Sequence, residues 1–105
     1  MDAFSALAQP KRREIVQLLA RNGSMNATQI SSHFQVTPQA MSQHLKILLE
    51  YHVIRMQRTA QMRLYSVNSE SIKDMAQWAN STLQLWDKRL DSLDKLLEAQ
   101  KKKKR

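Results

Sequence analysis

The last third of the chain carries an apolar repeat that is too long for a small domain to cover. Two interleaved sets of apolar residues recur at seven-residue intervals: Ile72, Ala79, Trp86 and Leu93, and Ala76, Leu83, Leu90 and Leu97. This spacing is typical of a coiled-coil seam on one long helix. Because a domain of about 70 residues cannot cover the whole stripe, we predict that a second copy covers it in a symmetric homodimer.

The alternative is that this helix packs back onto its own domain. We expect that arrangement for residues 72–79, which directly follow the domain. Residues 86–97 begin about two helical turns further along and are expected to pair across the dimer axis. The repeat leaves open whether the two helices run parallel or antiparallel.

The N-terminal part of the chain is expected to be helical, since the sequence contains one glycine and two prolines. "DAFSALA" is a short helical candidate. Pro10 fits the first position of a second helix that runs to about Arg21, and Gly23 can end that helix with a left-handed backbone. Its predicted inner face consists of Ile15, Leu18 and Leu19.

The centre of the chain predicts a helix-turn-helix. Asn26 is a suitable cap for a third helix, "ATQISSHF", and residues 35–37 form the turn. Thr37 caps a fourth helix, with Pro38 at its first position. In the third helix, the residues expected to be buried are Ala27, Ile30 and Phe34.

The fourth helix, residues 38–50, has one apolar and one polar face. The apolar face, expected to pack on the domain, consists of Met41, Leu45, Leu48 and Leu49. The polar face consists of Gln39, Ser42, Gln43, Lys46 and Glu50. A helix fits the major groove of DNA, where glutamine can bond adenine and lysine can reach guanine or a phosphate. A merely solvated face is the alternative, and the helix-turn-helix context favours DNA contact through Gln39, Ser42, Gln43 and Lys46.

A β-hairpin is predicted next, with strands Val53–Thr59 and Met62–Val67. The connecting residues lack glycine and Asn-Gly, so we expect a tip that is looser or longer than two residues. Arg58 and Arg63 flank this tip and could contact phosphates or the minor groove, although exposed arginines are often only solubilising.

Three segments follow from these features: a DNA-binding domain (1–70), a long dimerisation helix capped by Asn68 (71–100) and a basic disordered tail (101–105). The net charge is +8. The first segment has eight Lys or Arg against four Asp or Glu, whereas the second has four against five. The basic first segment favours an anionic partner such as nucleic acid, with solubility as the alternative.

Three cations, Lys11, Arg12 and Arg13, lie in the first turn of the second helix, where the helix dipole disfavours positive charge. For the two arginines we leave open an ion pair with Glu14 or another acid, or a phosphate contact.

The residue content indicates neither an enzyme nor a metal or cofactor site. Cysteine is absent, and His33, His44 and His52 are isolated in sequence. His44 borders the apolar face of the fourth helix, which favours a core or phosphate-bonding role. There is no nucleophile elbow or phosphate-binding glycine loop. The lack of cysteine fits a reducing cytoplasm, which is where we expect the protein. No stretch is long enough to span a membrane, so we expect no membrane partner.

The segments "ALAQPKRREIVQLL", "QVTPQAMSQHLKIL" and "RLYSV" resemble those of ArsR-type bacterial transcriptional repressors. The resemblance covers about residues 1–100. It implies a mainly α fold with a small β-hairpin wing: a winged helix-turn-helix with a long C-terminal dimerisation helix. It also implies a homodimer that binds a double-stranded DNA operator and releases it on a signal, which the sequence does not identify.

The resemblance also assigns residues to these roles. By matching position, Ser42, Gln43 and Lys46 fall where the family has its DNA-reading residues, and the hairpin falls where the family has its wing. Together with the candidates named from residue chemistry, the predicted DNA-binding residues are Thr37, Gln39, Ser42, Gln43, His44, Lys46, Arg58 and Arg63. The implied dimer interface, from the first and last helices, includes Phe4, Leu7, Ala79, Leu83, Trp86, Leu90, Leu93 and Leu97.

Several departures from the family pattern indicate which subgroup the sequence resembles. Metal-sensing relatives place thiolates near the start of the third helix, where this chain has Asn26 and Thr28, and the last helix lacks histidine. The sequence therefore resembles the members that do not sense metals and are grouped as autorepressors. His52 replaces a frequent glycine after the fourth helix, and Ala60-Gln61 replaces the wing glycine.

Two other functions remain open from the residues alone. The 71–100 helix could dock a partner, which would make the chain a protein-interaction module. The basic charge could also serve non-specific nucleic-acid or chromosome binding.

Overall fold

The computed structural model describes residues 2–103, with side chains to Lys101. Within these residues, five helices and two strands follow each other: α1 (Ala3–Ala6), α2 (Pro10–Asn22), α3 (Ala27–Ser31), α4 (Pro38–Glu50), β1 (Ile54–Thr59), β2 (Met62–Val67) and α5 (Ser69–Lys103). The chain divides into two compact units, the first ending at Lys73 and the second beginning at Asp74. None of the described helices is both long and apolar enough to cross a membrane.

The predicted caps of α3 and α4 are confirmed. The Asn26 side chain accepts a hydrogen bond from the Gln29 amide at 2.8 Å, and the Gln29 side chain accepts from the Asn26 amide at 2.9 Å. The Thr37 hydroxyl accepts from the Ala40 amide at 3.0 Å. These bonds satisfy amides that have no partner within the first helical turn, so the start of α4 is fixed by its own sequence.

The core of the first unit joins α2, α3, α4 and the hairpin. Its most buried side chains are Ile15, Leu19, Ile30, Met41, Leu48, Val53 and Ile54. The predicted inner face of α2 is confirmed, since Ile15, Leu18 and Leu19 are all buried. This packing holds the apolar face of α4 inward, and its polar face is therefore left to solvent.

The third helix is shorter than predicted. It ends at Ser31, and Ala27 is exposed, whereas Ile30 is buried as expected. Phe34 lies beyond the helix and is half-buried, with the Lys11 ammonium 5.3 Å from the centre of its ring. The segment that connects α3 to α4 is therefore longer than residues 35–37.

The end of α4 accommodates His52 in a left-handed conformation, with φ 61°. The His52 amide donates to the Leu49 carbonyl at 3.1 Å, and the Val53 amide donates to the Leu48 carbonyl at 2.9 Å. This pair of bonds defines a Schellman motif, and Leu48 and Val53 supply its apolar contact. Histidine therefore adopts the left-handed conformation that usually favours glycine, as predicted for this helix end.

The predicted hairpin is confirmed, although its first strand begins at Ile54 and not at Val53, and its tip is tighter than expected. Thr59 pairs with Met62, so only Ala60 and Gln61 form the turn. Ala60 adopts φ 56°, a conformation that two-residue hairpin turns normally assign to glycine or asparagine. The expectation of a looser or longer tip was wrong, because strand pairing overrides the local preference of alanine.

Among the described residues, neither Arg12 nor Arg13 forms the ion pair that was left open for it. Their guanidinium groups donate to carbonyl groups at the end of α1: Arg12 to Ala6 at 2.6 Å, and Arg13 to Leu7 at 2.8 Å. The ion pair with Glu14 belongs to Lys11, at 3.3 Å. The two arginines therefore satisfy carbonyl groups that a four-residue helix leaves without partners.

The start of α5 differs from the prediction in one detail. The Asn68 carbonyl accepts from the Ile72 amide at 3.3 Å, but the side-chain oxygen is buried without a partner. Its Nδ2 instead donates to the His52 carbonyl at 2.8 Å, which ties the Schellman loop to the end of β2. Asn68 thus begins the helix through its backbone and not through a side-chain cap. Ile72 packs against the core, as expected.

The end of α5 lies further along the chain than predicted. The helix continues to Lys103, into the segment predicted as a disordered tail. Residues 104 and 105, also assigned to that tail, lie outside the described residues.

Candidate nucleic-acid interface

The exposed face of α4 presents the four polar side chains that the sequence singled out. Gln39, Ser42, Gln43 and Lys46 are all exposed, and together with Pro38 they line a shallow depression of about 400 Å³. Met41, Leu45 and Leu48 are buried on the opposite face. Two amides, a hydroxyl and an ammonium group therefore form a continuous surface of hydrogen-bonding groups.

The other two residues assigned to this region are placed differently. Thr37 is exposed, but its hydroxyl already accepts the capping bond from Ala40. His44 is half-buried, and its Nδ1 atom is buried without a hydrogen-bond partner. Burial lowers the pKa of His44 below the ordinary value of 6.5, and the nearby charges of Arg12 and Lys11 lower it further. His44 is therefore a neutral side chain at the edge of the exposed face, and not part of its centre.

The hairpin brings Arg58 and Arg63 directly opposite each other. They form a cross-strand pair and, with Ala60 and Gln61, line a cleft of about 320 Å³. Like charges in this position disfavour the isolated hairpin. Within residues 2–103, neither arginine has an ion-pair partner, whereas Arg55 lies 3.5 Å from Glu70. The tip of the hairpin is thus a concentrated, uncompensated positive charge.

A second cleft, of about 350 Å³, separates α4 from the hairpin. Its buried floor contains Leu45 and Tyr65, and its polar walls contain Ser42, Lys46, Glu50 and Arg63. Glu50 was assigned to the polar face of α4 from the sequence but was given no function. The available signal was its helical spacing of four from Lys46.

The residues predicted for the dimer interface occur in both units. In the second unit, Leu83, Trp86, Leu90, Leu93 and Leu97 are exposed, as is Ala79. In the first unit, Phe4 is exposed and Leu7 is half-buried against the core. The exposed side chains of α5 form a long apolar surface on a single helix.

No metal centre is formed by the described part of the chain, in which His, Cys, Asp and Glu side chains do not cluster in groups of three or more.

Comparisons with known proteins identify the family. The family model described as "Bacterial regulatory protein, arsR family" matches residues 9–55, which include α2, α3 and α4. The transcriptional repressor SdpR of Bacillus subtilis is 36% identical over 77 residues, which cover 73% of this chain and 84% of the repressor. The chain belongs to the ArsR family. It is accordingly a DNA-binding transcriptional regulator with a winged helix-turn-helix fold, in a family of regulators and not of enzymes.

A second curated relative supports the family assignment, and a solved structure supports the fold. The arsenical resistance operon repressor of Bacillus subtilis is 33% identical over 72 residues, or 69% of each chain. The ArsR-like transcriptional regulator from Rhodococcus sp. RHA1 superposes with a TM-score of 0.79 and covers 89% of this chain and 87% of its own. At 22% identity, it supports the fold alone.

Proposed function

We propose that this ArsR-family protein is a homodimeric repressor that recognises an imperfect palindromic operator through α4 and the β-hairpin wing. The observation that carries the proposal is the exposed polar face of α4, whose opposite face is fixed in the core. Repression is supported by the two Bacillus subtilis relatives, both of which are named repressors.

Direct base recognition is assigned to the exposed face of α4. With its side chains, an α-helix is about 10–12 Å across, which suits a major groove about 12 Å wide. Gln39 and Gln43 are the candidates for paired hydrogen bonds to adenine N6 and N7. Ser42 and Lys46 lie beside them, and the lysine can reach guanine or a phosphate.

The wing and the edge of α4 are assigned to the DNA backbone. Arg58 and Arg63 carry charge that the described residues do not compensate, which suits phosphates or a narrow minor groove. Thr37 and His44 are assigned to sugar–phosphate contacts. For His44 this involves only the exposed part of the ring, because Nδ1 is buried.

Dimerisation is assigned to the apolar surface of α5, with contributions from Phe4 and Leu7. Trp86 is 55% exposed and Leu93 is 50% exposed, which is unusual for large apolar side chains arranged in one continuous stripe. A second copy would bury this stripe and relate two α4 helices by a two-fold axis. Two half-sites about one helical turn apart, roughly 34–36 Å, would then be engaged together. Because the proposed target is chromosomal DNA, we place the protein in the cytoplasm.

Selection of bound sequences from a random duplex library tests this proposal. The expected product is an inverted repeat with half-sites about 10–10.5 base pairs apart, centre to centre. Adenine should be enriched at one or more positions of each half-site. Recovery of unrelated sequences without symmetry would contradict it.

A further inference from the structure

The cleft between α4 and the wing contains an acid that the proposed function leaves unused. Four acidic residues occur in the first 70 residues, and three of them have an evident structural role. Asp2 caps α1, Glu14 pairs with Lys11, and Glu70 pairs with Arg55. Among the described residues, the side chain of Glu50 has neither an ion-pair nor a hydrogen-bond partner. It lines this cleft together with Lys46 and Arg63.

The position of Glu50 is unfavourable for α4 itself. It is the last residue of the helix, where the helix dipole disfavours negative charge. Lys46 lies four residues earlier, but an acid that follows a base is the poorer orientation of such a pair. Local helix stability therefore does not account for an acid at this place.

Direct base recognition by Glu50 is also disfavoured. Recognition helices contact base edges mainly through their N-terminal residues. Gln39 and Glu50 are separated by eleven residues, or about 16 Å along the helix axis. When Gln39 and Gln43 contact bases, Glu50 is directed to the cleft that separates helix from wing.

This cleft is where a DNA strand must pass if α4 and the wing occupy neighbouring grooves. The sugar–phosphate backbone forms the boundary between a major groove and the adjacent minor groove. Ser42 and Lys46 then lie at the end of the cleft closer to the start of α4, and Glu50 lies at the opposite end. A phosphate is attracted to Lys46 and Arg63 and repelled by Glu50, because like charges brought together disfavour a wrong register.

We propose that Glu50 is a specificity-determining residue, which penalises DNA registers that bring a phosphate to the C-terminal end of α4. On an operator, base contacts from Gln39 and Gln43 hold the strand near Ser42 and Lys46, away from the carboxylate. On other DNA these contacts are missing, and binding is almost entirely electrostatic. The strand can then occupy any part of the cleft, and the Glu50 carboxylate weakens binding to such DNA more than binding to the operator.

This inference rests on the proposed function, and Glu50→Gln is its test. The variant removes the charge and retains the shape of an exposed side chain. We expect affinity for unrelated duplex DNA to rise about three- to tenfold at low salt, with a steeper dependence on salt concentration. Affinity for the selected operator should change less than twofold. Glu98→Gln, an exposed acid of α5, makes the same change in net charge and should leave the ratio of the two affinities unaltered.

Three outcomes would overturn the role of Glu50. If the affinity of the Glu50→Gln variant rises equally for operator and unrelated DNA, the effect is one of general charge. A loss of operator affinity confined to one base pair would indicate base recognition. No change on either DNA would indicate a solvated side chain. If the unmodified protein shows no preference for any sequence, the proposed function itself has failed, which distinguishes the two conclusions.

Discussion

Helices α4 and α5 follow the same apolar periodicity but differ in what covers it. Leu48 of α4 is fully buried, whereas Leu90 of α5 is 40% exposed. In α4, the core formed by α2, α3 and the hairpin covers the stripe. In α5, the large apolar residues from Leu83 onward are exposed. Periodicity therefore shows which face of a helix must be covered, and the surrounding fold decides whether the same chain covers it.

The largest effect on stability is expected from the apolar stripe of α4, which its own domain covers. Leu48→Ala removes a fully buried side chain and should lower the free energy of unfolding by about 2–5 kcal/mol. Urea denaturation followed by circular dichroism measures this loss. If α4 is covered by its own domain, the loss should be the same at every protein concentration. If the loss of unfolding free energy disappears at high protein concentration, a second copy helps to cover α4, and the contrast between α4 and α5 is wrong.

The matching change in α5 should act through association. Replacing both Trp86 and Leu90 by glutamate places two charges in the exposed stripe and should abolish the proposed dimer. Operator affinity should then fall about 100-fold or more, because one half-site is lost from each binding event. Sedimentation velocity and operator titration measure the two effects. Glu98→Gln serves as a control that changes α5 outside the stripe. A variant that remains dimeric would show that other residues form the interface.

The polar face of α4 should affect DNA recognition without affecting stability. Gln43→Ala is expected to cost about 1–3 kcal/mol of operator affinity and to relax base preference at one position in each half-site. Competition titrations with single-base operator variants measure both. Equal losses on all sequences would remove Gln43 from the base-reading residues. Gln17→Ala, an exposed glutamine of α2, is a suitable comparison.

The tip of the wing should yield a smaller change in stability. Ala60 has φ 56°, where glycine is not penalised by a side chain. Ala60→Gly is therefore expected to stabilise the first unit by about 0.5–1 kcal/mol, after the entropic cost of glycine is subtracted. Thermal denaturation would detect it, and destabilisation would show that alanine is relaxed at this position.

The smallest effect expected is a pH dependence from His44. Its pKa is lowered in the folded protein, so the unfolded chain binds the proton more readily. The stability that neutral His44 contributes is fully present above the ordinary histidine pKa of 6.5, and it is lost as the pH falls from there through the lower pKa of the folded state. His44→Gln should reduce the decline in stability between pH 7 and about 5.5. His33→Gln, which replaces an exposed histidine, serves as the control. If the His44→Gln variant loses stability with falling pH as steeply as the unmodified protein, His44 is not the source of the pH dependence.

Most of the fold was predictable because local chemistry and tertiary packing agree. Asn26 and Thr37 mark helix starts by capping, and the apolar spacing of α4 matches the observed core. The hairpin was predicted from the composition of its two strands. The errors occur where tertiary contacts decide. The two-residue turn at Ala60 follows from strand pairing, and the bonds of Arg12 follow from the proximity of α1.

The candidate site was predictable in composition but not in arrangement. Gln39, Ser42, Gln43 and Lys46 were identified from helical spacing, which fixes their common face. Spacing within one helix does not reveal a neighbour from another element. The opposition of Arg58 and Arg63, and the cleft that joins Glu50 to Arg63, required the hairpin register and its packing on α4.

The most direct test of the account is the number of chains bound per operator. Sedimentation equilibrium of the 12.2 kDa chain with a duplex containing the selected inverted repeat gives this number. The account predicts two chains bound together to the intact repeat and much weaker binding to a duplex with one half-site. A single chain bound to one half-site with the affinity of the intact repeat would contradict it.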